Sequence, residues 1–147
     1  MVGSFELVSV LMRRARRFLN YARMALDKGD YDLACFCADQ AAQLGLKAML
    51  LRLAGYVPRT HGLRELLGEL RQSLASFGRA DLAARVESFT RENRDGLRRL
   101  DEAYVAGRYL AYEFEADEAR EAIELAEEVL SLIEEVMEAA FNAGGNP

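Results

Sequence analysis

The chain has no tryptophan, one histidine, two cysteines and two prolines in 147 residues. Each shortage removes a class of function. Cys35 and Cys37 stand two apart in ACFCAD; on a helix their side chains point roughly 200° apart, so they cannot bridge each other. A lone C-x-C with a single histidine elsewhere lacks the ligands of a zinc site, and no metal or cofactor is expected. Both cysteines read as small packing residues. No apolar run approaches the ~20 residues that cross a bilayer. In the N-terminal MVGSFELVSVLMRRARRF the charges follow the apolar stretch, the reverse of a secretory signal. The expected compartment is the cytoplasm, without membrane association. There is no glycine-rich phosphate loop after a strand and no serine or cysteine triad.

What is present is helix-forming sequence. Half the residues are apolar and 29% are charged, rich in Ala, Leu, Glu and Arg, which suits one helical domain over 1–147 with a core of its own. Net charge is −5 and is distributed unevenly. The first 28 residues carry six basic side chains, Arg13, Arg14, Arg16, Arg17, Arg23 and Lys28, against Glu6 and Asp27. Residues 113–138 carry eleven acids against Arg120 alone. Two solvated helix faces that attract each other account for this more simply than a phosphate-binding cluster does, because the chain as a whole is acidic.

Apolar residues recur at helical spacing from end to end, with no two-residue strand alternation. Helices are predicted over about 4–28, 31–54, 61–77, 80–106 and 116–142. Gly29, Gly55 and Gly78 mark C-terminal stops, Asp30 and Thr60 are placed as N-caps, and Gly96 makes a bend possible. The first helix has more apolar surface than one seam requires, with Val10, Leu11, Phe18 and Ala25 beside the main stripe. The second presents Ala34, Ala38, Ala41, Ala42, Gly45 and Ala48, a small-residue face suited to close helix approach in the core or at a dimer seam. Short connections imply an all-α, antiparallel up-and-down bundle of four or five helices. In such a bundle the 55–61 and 106–116 connections fall at the same end, bringing His61 and Arg108 near one another.

The run YDLACFCADQAAQLGLKAMLLRLAGYVPRTHGLRELLGEL, 31–70, resembles the HEPN family (higher eukaryotes and prokaryotes nucleotide-binding domain), in its small stand-alone prokaryotic form. The family pattern A-x-Q-A-A-x-x-x-L-K-A-x-L followed by P-x-T-H-x-L is met by Ala38, Gln40, Ala41, Ala42, Leu46, Lys47, Ala48 and Leu50, then Pro58, Thr60, His61 and Leu63. Arg108-Tyr109 resembles an R-Y-P element before the last helix, with Leu110 in place of proline. The resemblance implies a helical bundle that commonly forms homodimers and is often paired with a small nucleotidyltransferase as a two-component, toxin–antitoxin-like system. It points to His61, Arg108 and Tyr109 as candidates for nucleotide or RNA contact. Arginine beside aromatics holds a phosphate while a base stacks.

Many members are metal-independent ribonucleases that use an R-x(4–6)-H motif. With His61 the sole histidine, Arg59 two before it and Arg52 nine before, that motif is absent. Two readings follow: a dimeric nucleotide-binding and interaction module, or a ribonuclease toxin in which His61 acts with arginine, Arg108 being the candidate, from the same bundle end. Whether the chain is an enzyme is left open by the residues.

Overall fold

The computed structural model describes residues 4–109 and 113–142, with the side chains at 104–109 outside that description. The helices are α1 (Ser4–Lys28), α2 (Tyr31–Ala54), α3 (Leu63–Ser76), α4 (Ala80–Glu92), α5 (Arg94–Tyr109) and α6 (Ala116–Met137), which runs on into a π-helical turn, Glu138–Asn142. The all-α bundle expected from the sequence is the fold observed, with no strand among the described residues.

The three glycine stops behave as expected, each with φ near +81°, a conformation that costs a residue with Cβ but not glycine. At Gly29 and Gly78 the closure is the six-to-one type: Asp30 N–H donates to Ala25 O and Arg79 N–H to Leu74 O, both at 2.9 Å. Asp30 does not cap α2 with its side chain; its carbonyl accepts from Ala34 N–H instead. The predicted fourth helix divides at Asn93, not at Gly96. The Asn93 amide donates to Phe89 O at 2.9 Å, so its side chain competes for the helix's own carbonyl and turns the chain there. Gly96 stays helical for a packing reason: a Cβ there would lie 3.1 Å from Leu125 Cδ2.

Contacts along α6 define the layout. Arg16 pairs with Glu134 and Arg23 with Glu127, so α1 runs antiparallel to α6. Gly45 abuts Leu130 and Ile133, and the Arg52 guanidinium stacks 4.0 Å from the Phe141 ring, so α2 runs parallel to α6. Arg79 donates to Ala139 O, Arg85 pairs with Glu135 and Arg99 with Glu121, so α4 and α5 together run antiparallel to it. Four columns result: α1, α2, the interrupted α4–α5, and α6. The shorter α3 packs outside against α4 and α2.

This layout corrects the connectivity expected from the sequence. Because α4–α5 climbs from the end where α2 finishes, the segment entering α6 lies at the opposite end, where Phe114 and Glu118 share a cleft with Cys35 of the early α2. The loops that begin at 55 and end at 116 therefore sit at opposite ends. The error lay in sending α3 upward from Gly55. The chain instead returns along α2 before α3 begins, and α3 descends.

The core has α2 at its centre. Ala34, Ala38, Ala41, Ala42 and Ala48 are fully buried, so the small-residue face is filled by helices of the same chain. Three of the four surplus apolar positions of α1 are absorbed in the same way. Leu11 and Ala25 are buried and Phe18 packs half-buried against the core, because α1 touches both α2 and α6, while Val10 is half-buried. Both cysteines are buried and free, and burial pushes the Cys35 thiol up to about 12, as packing residues require.

Candidate functional site

Among the described residues, buried polar side chains gather at one place. Asp39, Gln43 and Lys47 recur every fourth position of α2, on one face, and all three are buried. The Gln43 amide donates to Asp39 Oδ2, which turns its carbonyl toward the loop after α2. There Gln43 Oε1 lies 3.3 Å and Lys47 Nζ 3.2 Å from the same atom, His61 Nδ1. With Nδ1 bare the ring accepts from the lysine; with Nδ1 protonated it donates to the glutamine. Either tautomer ties the loop to the middle of α2.

The rest of the loop explains how an exposed His61 is held at the level of Gln43 and Lys47. Tyr56 Oη donates to Glu69 at 3.2 Å, Pro58 is buried, and Thr60 Oγ1 donates to Glu65 Oε2 at 2.6 Å. The sequence places Thr60 as the cap of a helix from 61. The helix starts instead at Leu63, and its cap comes from another element: Asp101 of α5 accepts the Leu63 N–H at 2.7 Å and pairs with Arg64 at 3.4 Å. A carboxylate at a helix N-terminus also meets the positive end of the macrodipole. Asp101→Ala removes this cap and is expected to cost about 1–2 kcal/mol in chemical denaturation. Faster hydrogen exchange at the Leu63 amide should accompany it, and Asp101→Asn, which keeps the acceptor, should recover most of the loss.

Burial shifts the two ionisable ends of the α2 row in opposite directions. Asp39 is fully buried, and its Oδ1 has no hydrogen-bond partner among the described residues. Desolvation is the main cause of its rise to about 8; the Gln43 bond opposes it and Asp101 adds to it. Desolvation likewise lowers Lys47, partly offset by the attraction of Asp39. At neutral pH the row therefore holds a proton on Asp39 in the folded chain.

A second concavity, a cleft of about 650 Å³, lies between α5 and α6. Leu100, Ala103, Phe114, Ala122 and Leu125 give it an apolar floor above Cys35. Three arginines, Arg91, Arg94 and Arg99, stand at its rim against six acids: Glu92, Asp95, Glu118, Glu121, Glu124 and Glu128. That balance disfavours a free phosphate and suits a protein surface better.

Of the three residues singled out from the sequence, His61 is fixed by Gln43 and Lys47, whereas the side chains of Arg108 and Tyr109 lie outside the described residues, as does Tyr112. Asp101 holds the start of α3 against α5, and Arg108 is seven residues farther along that helix, about 10 Å by helical rise toward the end where α6 begins. The backbone therefore does not bring its segment to the level of Gln43 and Lys47, where His61 is held. Asp39, Gln43 and Asp101 are site residues that the sequence reading missed. The signal for the first two was legible as polar residues four apart, with Lys47, in an otherwise apolar helix. Asp101 had no local signal, because its partner is 38 residues away.

Comparison with known proteins agrees with the fold. The family model for the HEPN domain matches residues 8–136. The crystal structure of TT1696 from Thermus thermophilus is similar at 30% identity, covering 88% of this chain and 97% of that one, with a TM-score of 0.67. No curated protein matches the sequence.

Proposed function

The chain belongs to the HEPN domain family, and on that premise we propose that it acts as a dimeric nucleotide-binding and interaction module, paired in the cytoplasm with a small nucleotidyltransferase in a two-component, toxin–antitoxin-like system. The observation that carries the interaction part is the set of large apolar side chains left outside a well-filled core. Phe5, Tyr21, Met24, Leu33, Tyr56, Val57 and Phe77 are each more than two-fifths exposed, while the small and apolar faces that could have explained them are already used within the chain. Exposed aromatics and methionine are the residue types enriched at protein interfaces. Nucleotide contact is proposed for the His61 loop, with Arg108 and Tyr109, toward the other end of the bundle on α5, as a separate candidate. No helix among the described residues is long and apolar enough to cross a membrane.

The test is co-expression with the nucleotidyltransferase encoded beside it, where such a reading frame exists, followed by affinity capture and light scattering. The expected result is a stoichiometric complex built on a homodimer. A monomer that captures no partner overturns the reading.

One observation favours the nuclease alternative. His61 is exposed, and its ring is oriented through Nδ1 with a lysine beside it, an arrangement suited to proton transfer. Metal-free cleavage of RNA that is lost in His61→Ala, with the fold intact by circular dichroism, would establish that alternative and displace the interaction-only reading.

A further inference from the structure

Arginine is abundant here and mostly neutralised. Among the described residues nine arginines sit in ion pairs, at positions 16, 23, 64, 79, 85, 91, 98, 99 and 120. Arg13, Arg14 and Arg17 of α1 sit in none of these pairs, and all three are exposed. Positions 13, 17, 21 and 24 follow one another at steps of four, four and three, so they form a single stripe on the outer face of α1. Tyr21 and Met24 continue the arginines along it, 59% and 52% exposed. From Arg13 to Met24 the stripe is about 16 Å long.

We propose that this face of α1 is a docking site for the acidic, amphipathic helix of a partner protein, glutamates against Arg13, Arg14 and Arg17 and apolar side chains against Tyr21 and Met24. The inference rests on the interaction reading above and names the surface that serves it.

Three observations select that occupant. The positive and apolar halves of the stripe adjoin, which matches a helix carrying both kinds of residue. Exposed acids stand beyond both ends of the stripe, Glu6 before it and Asp27, Asp30 and Asp32 after it, with Lys28 the one base among the latter. A phosphate backbone running along α1 would meet those carboxylates, and the chain is acidic overall, so a nucleic acid is disfavoured. A second copy offers acidic surface on α6, at the cleft with α5 and along Glu124, Glu127, Glu128 and Glu135 beside α4. These acids stand on a different element from the α1 stripe, so docking one on the other would be a heterologous contact and not the self-complementary one of a twofold dimer.

The probe is a fluorescein-labelled amphipathic peptide with glutamate on its polar face and leucine on its apolar face, followed by fluorescence anisotropy. A lysine counterpart and an oligouridylate of equal charge serve as comparisons. The wild-type chain should prefer the glutamate peptide. Arg13→Glu/Arg17→Glu should weaken that binding about tenfold or more, and Tyr21→Ser/Met24→Ser should weaken it severalfold, with thermal midpoints unchanged because none of these side chains is buried. Arg71→Glu/Arg98→Glu, an equal change of net charge on α3 and α5, should leave it intact.

Equal loss in both arginine pairs would reduce the effect to net charge and overturn the proposal. Tighter binding of the oligouridylate would overturn it in favour of nucleic acid, and open-ended assembly of the wild type in favour of self-docking. Capture of the nucleotidyltransferase is measured with the same variants. Capture retained by Arg13→Glu/Arg17→Glu removes the α1 site and leaves the interaction reading standing. Absence of capture by wild type, with the peptide result intact, does the reverse.

Discussion

Gly45→Leu is expected to be the most damaging single substitution in the bundle. The only atom beyond the backbone at this position is hydrogen, and a Cβ would already lie 2.5 Å from Leu130 Cδ2 and 2.9 Å from Ile133 Cδ1. Those methyl groups are the free ends of side chains, but their residues are almost completely buried. They can retreat only into neighbours packed at crystal-like density. Gly45→Ala sets that crowding against roughly 1 kcal/mol of gained helix propensity, and the two should nearly cancel. Leucine adds three further carbons with no matching space, so α2 must move off α6. A loss of about 3 kcal/mol or more is expected, seen as a fall in thermal midpoint on the order of 10 °C. A Gly45→Leu chain that melts with the wild type would show that the close approach of α2 and α6 is not required.

Asp39→Asn is expected to change how stability depends on pH, and with a definite sign. The ordinary value of an aspartate is near 3.8, and in the folded chain burial raises Asp39 to about 8. Below the lower value both folded and unfolded chains hold the proton. Between the two values the unfolded chain has released it while the folded chain retains it, so folding takes up a proton and stability falls as pH rises. Above about 8 both forms are ionised and the dependence ends. Asparagine cannot titrate, so the stability difference between variant and wild type should shift toward the variant across this window, by at most about 1.4 kcal/mol per pH unit.

Near pH 4 the wild type should equal or exceed the variant, since asparagine adds a buried amide donor where Oδ1 finds no partner among the described residues. Denaturant melts of both proteins at several pH values give the comparison. Parallel profiles would mean that Asp39 is ionised in the folded chain at neutral pH, against its burial. Lys47 works in the opposite direction on the same face, and its attraction for Asp39 keeps the shift from being larger.

Both positions were visible in the sequence, but neither consequence was. Gly45 read as part of a small-residue face, which established that some helix comes close; that the helix is α6, over Leu130 and Ile133, required the fold. The buried row at 39, 43 and 47 was likewise written in four-residue spacing, yet polar residues at that spacing more often mark a solvated face. Only the surrounding helices decide that these are inside. The end of α3 shows the same division. Gly78 and its left-handed φ were legible because glycine is needed locally, whereas the start of α3 was misplaced by two residues because its cap, Asp101, arrives from α5.

What the sequence by itself determined is everything carried by local spacing: an all-α chain, the glycine stops, the apolar stripes, the buried cysteines and, through the motif at 31–70, the HEPN family. What only the tertiary structure decided is direction and company. The return of the 55–62 segment along α2 reverses α3, sends α4–α5 up the bundle, and seats His61 between Gln43 and Lys47 instead of at the bundle end. Helical periodicity states which face of a helix is buried, because that face repeats about every 3.6 residues. It carries no information on which way the next helix runs, because a loop of a few residues can close either way and the choice rests on contacts made far along the chain.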